Sequence, residues 1–112
     1  MKRVIIIPAV LVLGTLVSGQ ALASLKLAEE KQCLQCHAVN KGSIGPSFRK
    51  ISSVYKTVSN PQQKLVDVMH LGSAAHLGPL SGKSRMPDMS ERPTMTDQEA
   101  KKLARWILSG AR

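Results

Sequence analysis

Apolar residues recur with helical spacing along much of this chain, most clearly near its C-terminus. One helix face there is formed by Ala100, Leu103, Ala104, Ile107 and Leu108. The residues from Thr96 to Glu99 have the form of a capping box, in which two side chains bind free backbone N–H groups at the helix start. Gly110 supplies a stop signal. The pattern predicts a helix that begins after Thr96 and ends near Gly110.

Further helices are predicted in the middle of the chain. Asn60 suits an N-cap and Pro61 a first helical position, and Gly72 a helix end. The inward face of this helix is Leu65, Val68 and Met69. A shorter helix over residues 47–56 turns Phe48, Ile51 and Tyr55 inward, and one or two turns cover residues 25–32. No segment alternates like a strand, so the predicted fold class is all-α.

The first residues are typical of a secretory signal peptide. Lys2 and Arg3 precede an apolar run over residues 4–17, and Ala21-Leu22-Ala23 matches a signal-peptidase site. The alternative is an uncleaved membrane anchor, but the run is shorter than the roughly 20 apolar residues of a spanning helix. We therefore expect residues 1–23 to be removed before Ser24, leaving a periplasmic domain of residues 24–112 with no stable membrane insertion.

Composition adds two constraints. The aromatic residues are few (Phe48, Tyr55 and Trp106), so a bulky apolar group from outside the sequence could complete a small core. The chain carries a formal net charge of +9, and roughly +7 without Lys2 and Arg3. Acidic protein surfaces, anionic membranes and nucleic acid attract such a charge, but export makes nucleic acid an unsuitable partner.

The segment Cys33-Leu34-Gln35-Cys36-His37 is a C-x-x-C-H motif, the pattern of covalent c-type haem attachment. Residues three apart share one side of a helical turn, so two thiols can reach the two vinyl groups of one porphyrin while the adjacent histidine binds iron. Three other uses of the cysteines are less well supported. A thioredoxin-like pair needs a preceding strand and a βαβ unit, and the sequence has no signal for either. A zinc site needs four ligands, and there is no second cysteine pair, while a disulfide across two residues is strained.

With these elements in order, the chain resembles a class I cytochrome c of the short bacterial periplasmic type, over residues 27–110. The resemblance rests on the C-x-x-C-H motif, then Gly45-Pro46, then Met86-Pro87, then the final helix with Trp106. It implies about four helices around one haem c, held through Cys33 and Cys36. It further implies His37 as proximal iron ligand, the Pro46 loop carbonyl holding its ring N–H, and a long loop carrying Met86 as distal ligand.

The distal ligand has several candidates: Met69, His70, His76, Met86, Met89 and Met95. A methionine can equally fill a core, and His70 can equally complement the end of a helix. The resemblance favours Met86, with Met89 next. The sequence departs from the family in a longer loop over residues 81–84, in Asp88 after Pro87, and in lacking an aromatic partner for a haem propionate. Arg49 and His76 are candidates for that partner.

Iron bound by both a histidine and a methionine has no open position for substrate, which favours a diffusible electron carrier and not an enzyme. Acidic redox proteins are the expected partners, attracted by a ring of lysines. The candidate members of that ring are Lys31, Lys41, Lys50, Lys56 and Lys83. The alternatives are a cytochrome subunit of a periplasmic dehydrogenase, for example one that oxidises sulfur compounds, and a ligand-binding or peroxidatic haem protein.

Overall fold

The computed structural model describes residues 4–5, 8–9, 18–75 and 85–112. All regular secondary structure in these residues is helical, which confirms the predicted fold class for the described part of the chain. Most of the predicted signal peptide, His76 and Lys83 lie outside the described residues. The α-helices are α1 Ser18–Glu30, α2 Phe48–Tyr55, α3 Pro61–Leu71 and α4 Asp97–Leu108, with 3₁₀ turns at Cys33–Gln35 and Gly72–Ala75.

Helix α4 begins and ends where the sequence predicts. The Glu99 N–H donates to the Thr96 hydroxyl at 3.1 Å, and the Thr96 N–H donates to the Glu99 carboxylate at 2.9 Å, so the capping box is complete. At the other end, Gly110 has a φ of 89°. The N–H groups of Gly110 and Ala111 bind the carbonyls of Ile107 and Trp106, which is a Schellman motif.

Helices α2 and α3 are both present. Asn60 occupies the N-cap position of α3 as predicted, but its side chain does not cap the helix. Asn60 precedes the helix in a left-handed conformation, with φ of 50°, and its side chain caps no N–H group. Its carbonyl accepts the N–H of Lys64, so the backbone opens the helix without the side chain. Helix α2 does have a side-chain cap, the Ser47 hydroxyl, which accepts the Lys50 N–H at 3.0 Å.

Helix α1 is longer than predicted, since it begins seven residues before Leu25. The predicted cleavage point after Ala23 therefore falls inside α1. Ser24, Leu27 and Ala28 are buried, and α1 packs against α4. Just after α1, Lys31 forms an ion pair with Glu99 at 3.1 Å, which ties the two helices together. Among the described residues, no helix is both long and apolar enough to cross a membrane.

Helix α4 organises the core, because α1, α2 and α3 all pack against it. Its buried side chains are apolar, and Leu103 and the two alanines Ala100 and Ala104 are almost fully enclosed. Small residues at this contact let the helices approach closely. A cavity lies beside this core. It is lined by described residues of the connections between α1 and α2 and between α3 and α4, together with residues of α2, α3 and α4.

Candidate functional site

The cysteine motif lies in a separate 3₁₀ turn and not in the first turn of an α-helix. Gln32 adopts a left-handed conformation, with φ of 61°, and this ends the run of α1. The N–H groups of Cys36 and His37 both bind the Cys33 carbonyl, at 3.2 and 2.9 Å. Residues three apart eclipse each other in a 3₁₀ turn, so this geometry brings the two thiols to one side.

Both cysteines of the motif line the cavity. Burial raises the pKa of the Cys33 thiol above its ordinary value, and the nearby Arg92 guanidinium offsets part of that effect.

His37 is oriented by the loop that follows it. Its ring Nδ1 lies 2.7 Å from the Pro46 carbonyl oxygen. A carbonyl can only accept, so Nδ1 carries the proton and donates, and in the neutral ring Nε2 keeps a free lone pair. The ring also stacks on Phe48, with centroids 5.5 Å apart and planes 22° apart. The imidazole is thus prepared to bind a metal through Nε2.

Gly45 makes this orientation possible. A Cβ at this position would lie 2.6 Å from the His37 Cε1 and 2.9 Å from Nδ1, closer than real Cβ contacts. The Gly45 N–H also donates to the Cys36 carbonyl at 2.7 Å, so the loop is fixed to the cysteine turn itself. The Gly45-Pro46 pair therefore acts as one support for the histidine ring.

Met86 is half-buried and lines the same cavity as the two thiols and the His37 ring. Its backbone is held by Ser73, whose hydroxyl accepts the Met86 N–H at 2.7 Å. Among the other candidates for the distal position, Met69 also lines the cavity, but Met89 and Met95 do not. The His70 ring lies 3.3 Å from the Met95 carbonyl oxygen, and His76 lies outside the described residues.

The cavity has a volume of about 680 Å³, within the usual range of cofactor and ligand pockets. Its walls combine two thiols, an imidazole and a thioether with apolar side chains, which is the donor set and environment that a covalently attached haem requires. The room that Gly45 leaves at the imidazole supports the same fit. The apolar lining includes Phe48, Ile51, Tyr55, Leu65, Val68, Leu103 and Ile107.

Charged side chains also reach the cavity, and sequence reasoning missed most of them. Lys50, Arg85, Glu91 and Arg92 line it, and Arg85 forms an ion pair with Glu91 at 2.9 Å. Arg49, a candidate propionate partner, is exposed and lies in a separate surface depression with Lys56. The structure therefore places Arg49 away from the cavity lining, and its role as a propionate partner stays a prediction. The signal that could have found the others is their position, since Arg85 immediately precedes Met86 and Arg92 closes the same loop.

Comparison with known proteins identifies the family of the chain. The family model for cytochrome c matches residues 22–111. The chain is 32% identical to cytochrome c-551 of Stutzerimonas stutzeri over 111 residues, which cover 97% of this chain and 98% of the relative. It is 29% identical to cytochrome c-552 of Hydrogenobacter thermophilus over 92 residues, which cover 82% of this chain and 86% of the relative.

A solved structure shows that the fold is also that of a bacterial cytochrome c. The crystal structure of wild-type Nitrosomonas europaea cytochrome c552 superposes with a TM-score of 0.67 at 28% sequence identity, covering 77% of this chain and 98% of that one. A helical domain in which a C-x-x-C-H turn lines an apolar cavity has the arrangement of a c-type cytochrome. The chain belongs to the cytochrome c family, and its cofactor is haem c, attached through Cys33 and Cys36.

Proposed function

We propose that the chain is a periplasmic electron carrier that moves one electron at a time between redox proteins and is not an enzyme. The single observation that carries the proposal is the cavity that Cys33, Cys36, His37 and Met86 line together. When bound there, haem c supplies a one-electron Fe(III)/Fe(II) couple. With His37 and Met86 both holding the iron, no position would remain for a substrate, so the group would supply electron transfer alone.

The residues have separate tasks in this proposal. The thioethers at Cys33 and Cys36 keep the cofactor from dissociating. His37 would bind the iron through Nε2, because the bond from Nδ1 to the Pro46 carbonyl fixes the ring's tautomer and direction. Met86 would hold the iron through its thioether sulfur, and a soft thioether favours the reduced iron. The apolar wall would keep water away from the iron, which also favours the reduced iron.

Export and location are part of the same proposal. We infer that residues 1–23 direct the chain to the periplasm and are removed there. Cleavage would cut α1 after Ala23 and leave the buried residues Ser24, Leu27 and Ala28 in the domain. Mass spectrometry of the secreted protein should give the mass of residues 24–112 plus one haem. A mass that includes residues 1–23 would show a retained anchor instead.

The partners proposed here are redox proteins with acidic docking surfaces. Lys41, Lys50 and Lys56 are exposed, and Lys50 also lines the cavity. Lys31 is not available for docking, because its ammonium group binds Glu99 and the Thr94 carbonyl and its side chain is only 17% exposed. Lys83 lies outside the described residues. The proposed docking surface is therefore the part of the cavity rim that carries Lys50.

The first experiment is the absorption spectrum of the protein made in a bacterial host that matures haem c. We expect sharp c-type bands on reduction, and in the oxidised form a weak far-red sulfur-to-iron band that Met86→Ala removes. Met89→Ala is the matched control and should keep the band. Absence of haem bands would contradict the proposal, and binding of carbon monoxide to the reduced protein at neutral pH would favour a ligand-binding haem protein.

A further inference from the structure

The loop that carries Met86, residues 85–93 and here called the distal loop, is fastened to the C-terminal end of α3. The Ser73 N–H donates to the Met86 carbonyl at 3.0 Å, and the Met86 N–H donates to the Ser73 hydroxyl at 2.7 Å. Further along, the Met89 N–H donates to the His70 carbonyl at 3.2 Å. The two segments therefore run in opposite directions, with Met86 at the point where both of its backbone polar groups are bound.

These contacts also complete α3. The last carbonyls of a helix have no partner within the helix and form the negative end of its dipole. Here the distal loop supplies partners from outside: the Met89 N–H binds the His70 carbonyl, and the Arg92 guanidinium donates to the Met69 carbonyl. A cation is favourable at that end of a helix. The end of α3 and the distal loop thus stabilise each other.

Gly72 allows the loop to come this close. Its φ is 64°, in the left-handed region, and it ends α3 directly before Ser73. A Cβ on Gly72 would overlap the Met86 carbonyl oxygen and would lie 2.8 Å from the Pro87 carbonyl carbon. The backbone of the distal loop therefore packs against the one residue of α3's C-terminal end that has no side chain.

We propose that Ser73 is a positioning residue for Met86, which holds its backbone so that the thioether stays at the iron in competition with external ligands. This deepens the proposed function, because it rests on Met86 as the distal ligand. A thioether is neutral, so its retention depends on how well the chain preorganises it and not on charge. The two bonds to Ser73 lie directly on the ligand residue and provide that preorganisation.

The test compares cyanide binding to the oxidised, haem-loaded protein in wild type and Ser73→Ala. Cyanide must displace the methionine, so its affinity rises as the loop opens more often. Loss of one hydrogen bond should raise the cyanide affinity about two- to tenfold. Ser73→Thr keeps a hydroxyl and should restore the wild-type affinity. Ser53→Ala is the matched control, because the Ser53 hydroxyl binds only the Lys50 carbonyl within α2 among the described contacts.

The role of Met86 as distal ligand and the role of Ser73 in positioning it fail in different ways. If the far-red band survives in Met86→Ala, Met86 is not the distal ligand, and both roles are contradicted. If Met86→Ala loses the band but Ser73→Ala binds cyanide with wild-type affinity, only the role of Ser73 is contradicted. If Ser73→Ala does not accumulate, Ser73→Val and Ser73→Thr give the same comparison, since they differ only by a methyl in place of the hydroxyl. Equal affinities in that pair would overturn the inference.

Discussion

Gly45 and His37 are in such close contact that the glycine's missing side chain leaves the space for the imidazole. A Cβ on Gly45 would stand 2.6 Å from the His37 Cε1. The next residue, Pro46, accepts the ring's Nδ1–H at 2.7 Å. One dipeptide therefore provides both the space and the hydrogen bond that set the direction of Nε2, and the proximal side of the site depends on it.

Gly45→Ala should accordingly destabilise the haem-loaded protein. The new methyl forces either the ring or the loop to move, and overpacking of this kind costs about 1–3 kcal/mol. Chemical denaturation of the oxidised protein measures the loss. Gly42→Ala is the matched control, because a Cβ there meets nothing within 4 Å. Equal stability of the two variants would contradict the account of Gly45.

Part of the free energy of unfolding depends on pH through the Glu99 carboxylate. The N–H of Thr96 and the ammonium group of Lys31 both donate to its carboxylate, and they lower its pKa. A carboxyl group whose pKa is lowered by folding stabilises the native state when ionised, and this contribution disappears as the pH falls below about 4. Glu99→Gln should therefore lower stability at neutral pH and lower it less in acid.

Thermal unfolding between neutral pH and the acid limit checks this prediction. Glu29→Gln is the matched control, because Glu29 is an exposed carboxylate with no side-chain hydrogen bond or ion pair in the described part of the chain. It should change stability little at either pH. A constant difference between wild type and Glu99→Gln across the range would show that the effect comes from helix capping alone and not from ionisation.

Local signals explain which parts of the fold the sequence could predict. Helix α4 has its capping box, its apolar face and its terminal Gly110 within one short segment, so each boundary is marked by neighbouring residues. The start of α1 has no such mark, because the apolar residues of an export signal and those of a helix are alike. Asn60 suits a cap by type, but its left-handed backbone turns the side chain away from that task.

The site residues that are adjacent in sequence could be predicted, whereas the contacts made only by the folded chain could not. Cys33, Cys36 and His37 are adjacent in sequence, so the motif could be read directly. The bond between Ser73 and Met86 joins residues separated by a long loop, and a serine after a helix end is too common to single out. Arg92 contacts the end of α3 and lies near Cys33, but only the folded distal loop brings it there.

Arg92 should raise the reduction potential. It lines the cavity near Cys33, and a fixed positive charge disfavours the oxidised iron, which carries one more positive charge than the reduced iron. Arg92→Gln should lower the midpoint potential by some tens of millivolts, since a tenfold change in a one-electron equilibrium is about 59 mV. Potentiometric titration measures this directly.

Two controls separate charge from structure in that experiment. Arg92→Lys keeps the charge and should recover most of the wild-type potential. Arg49→Gln removes the same charge from an exposed residue outside the cavity and should change the potential less. The far-red band must persist in Arg92→Gln, because the guanidinium also binds the Met69 carbonyl. An unchanged potential with the band intact would contradict the electrostatic role.

Lys50 should make electron transfer sensitive to salt and to the charge of the reaction partner. It is exposed and lines the cavity, so its ammonium group attracts anions to the rim through which an electron would leave. Oxidation of the reduced protein by ferricyanide should therefore slow as salt is added. Lys50→Gln should slow the same reaction about two- to fivefold at low salt, and the difference should vanish near 1 M salt, where the screening length is about 3 Å.

A cationic oxidant such as tris(phenanthroline)cobalt(III) reverses the sign of the effect, so Lys50→Gln should speed that reaction. Lys102→Gln is the matched control, because Lys102 is exposed on α4 and does not line the cavity. It removes the same charge from the whole protein, and its rates with both oxidants should stay close to wild type. If Lys50→Gln and Lys102→Gln behave alike, net charge alone guides the partner, and the docking surface does not centre on the rim at Lys50.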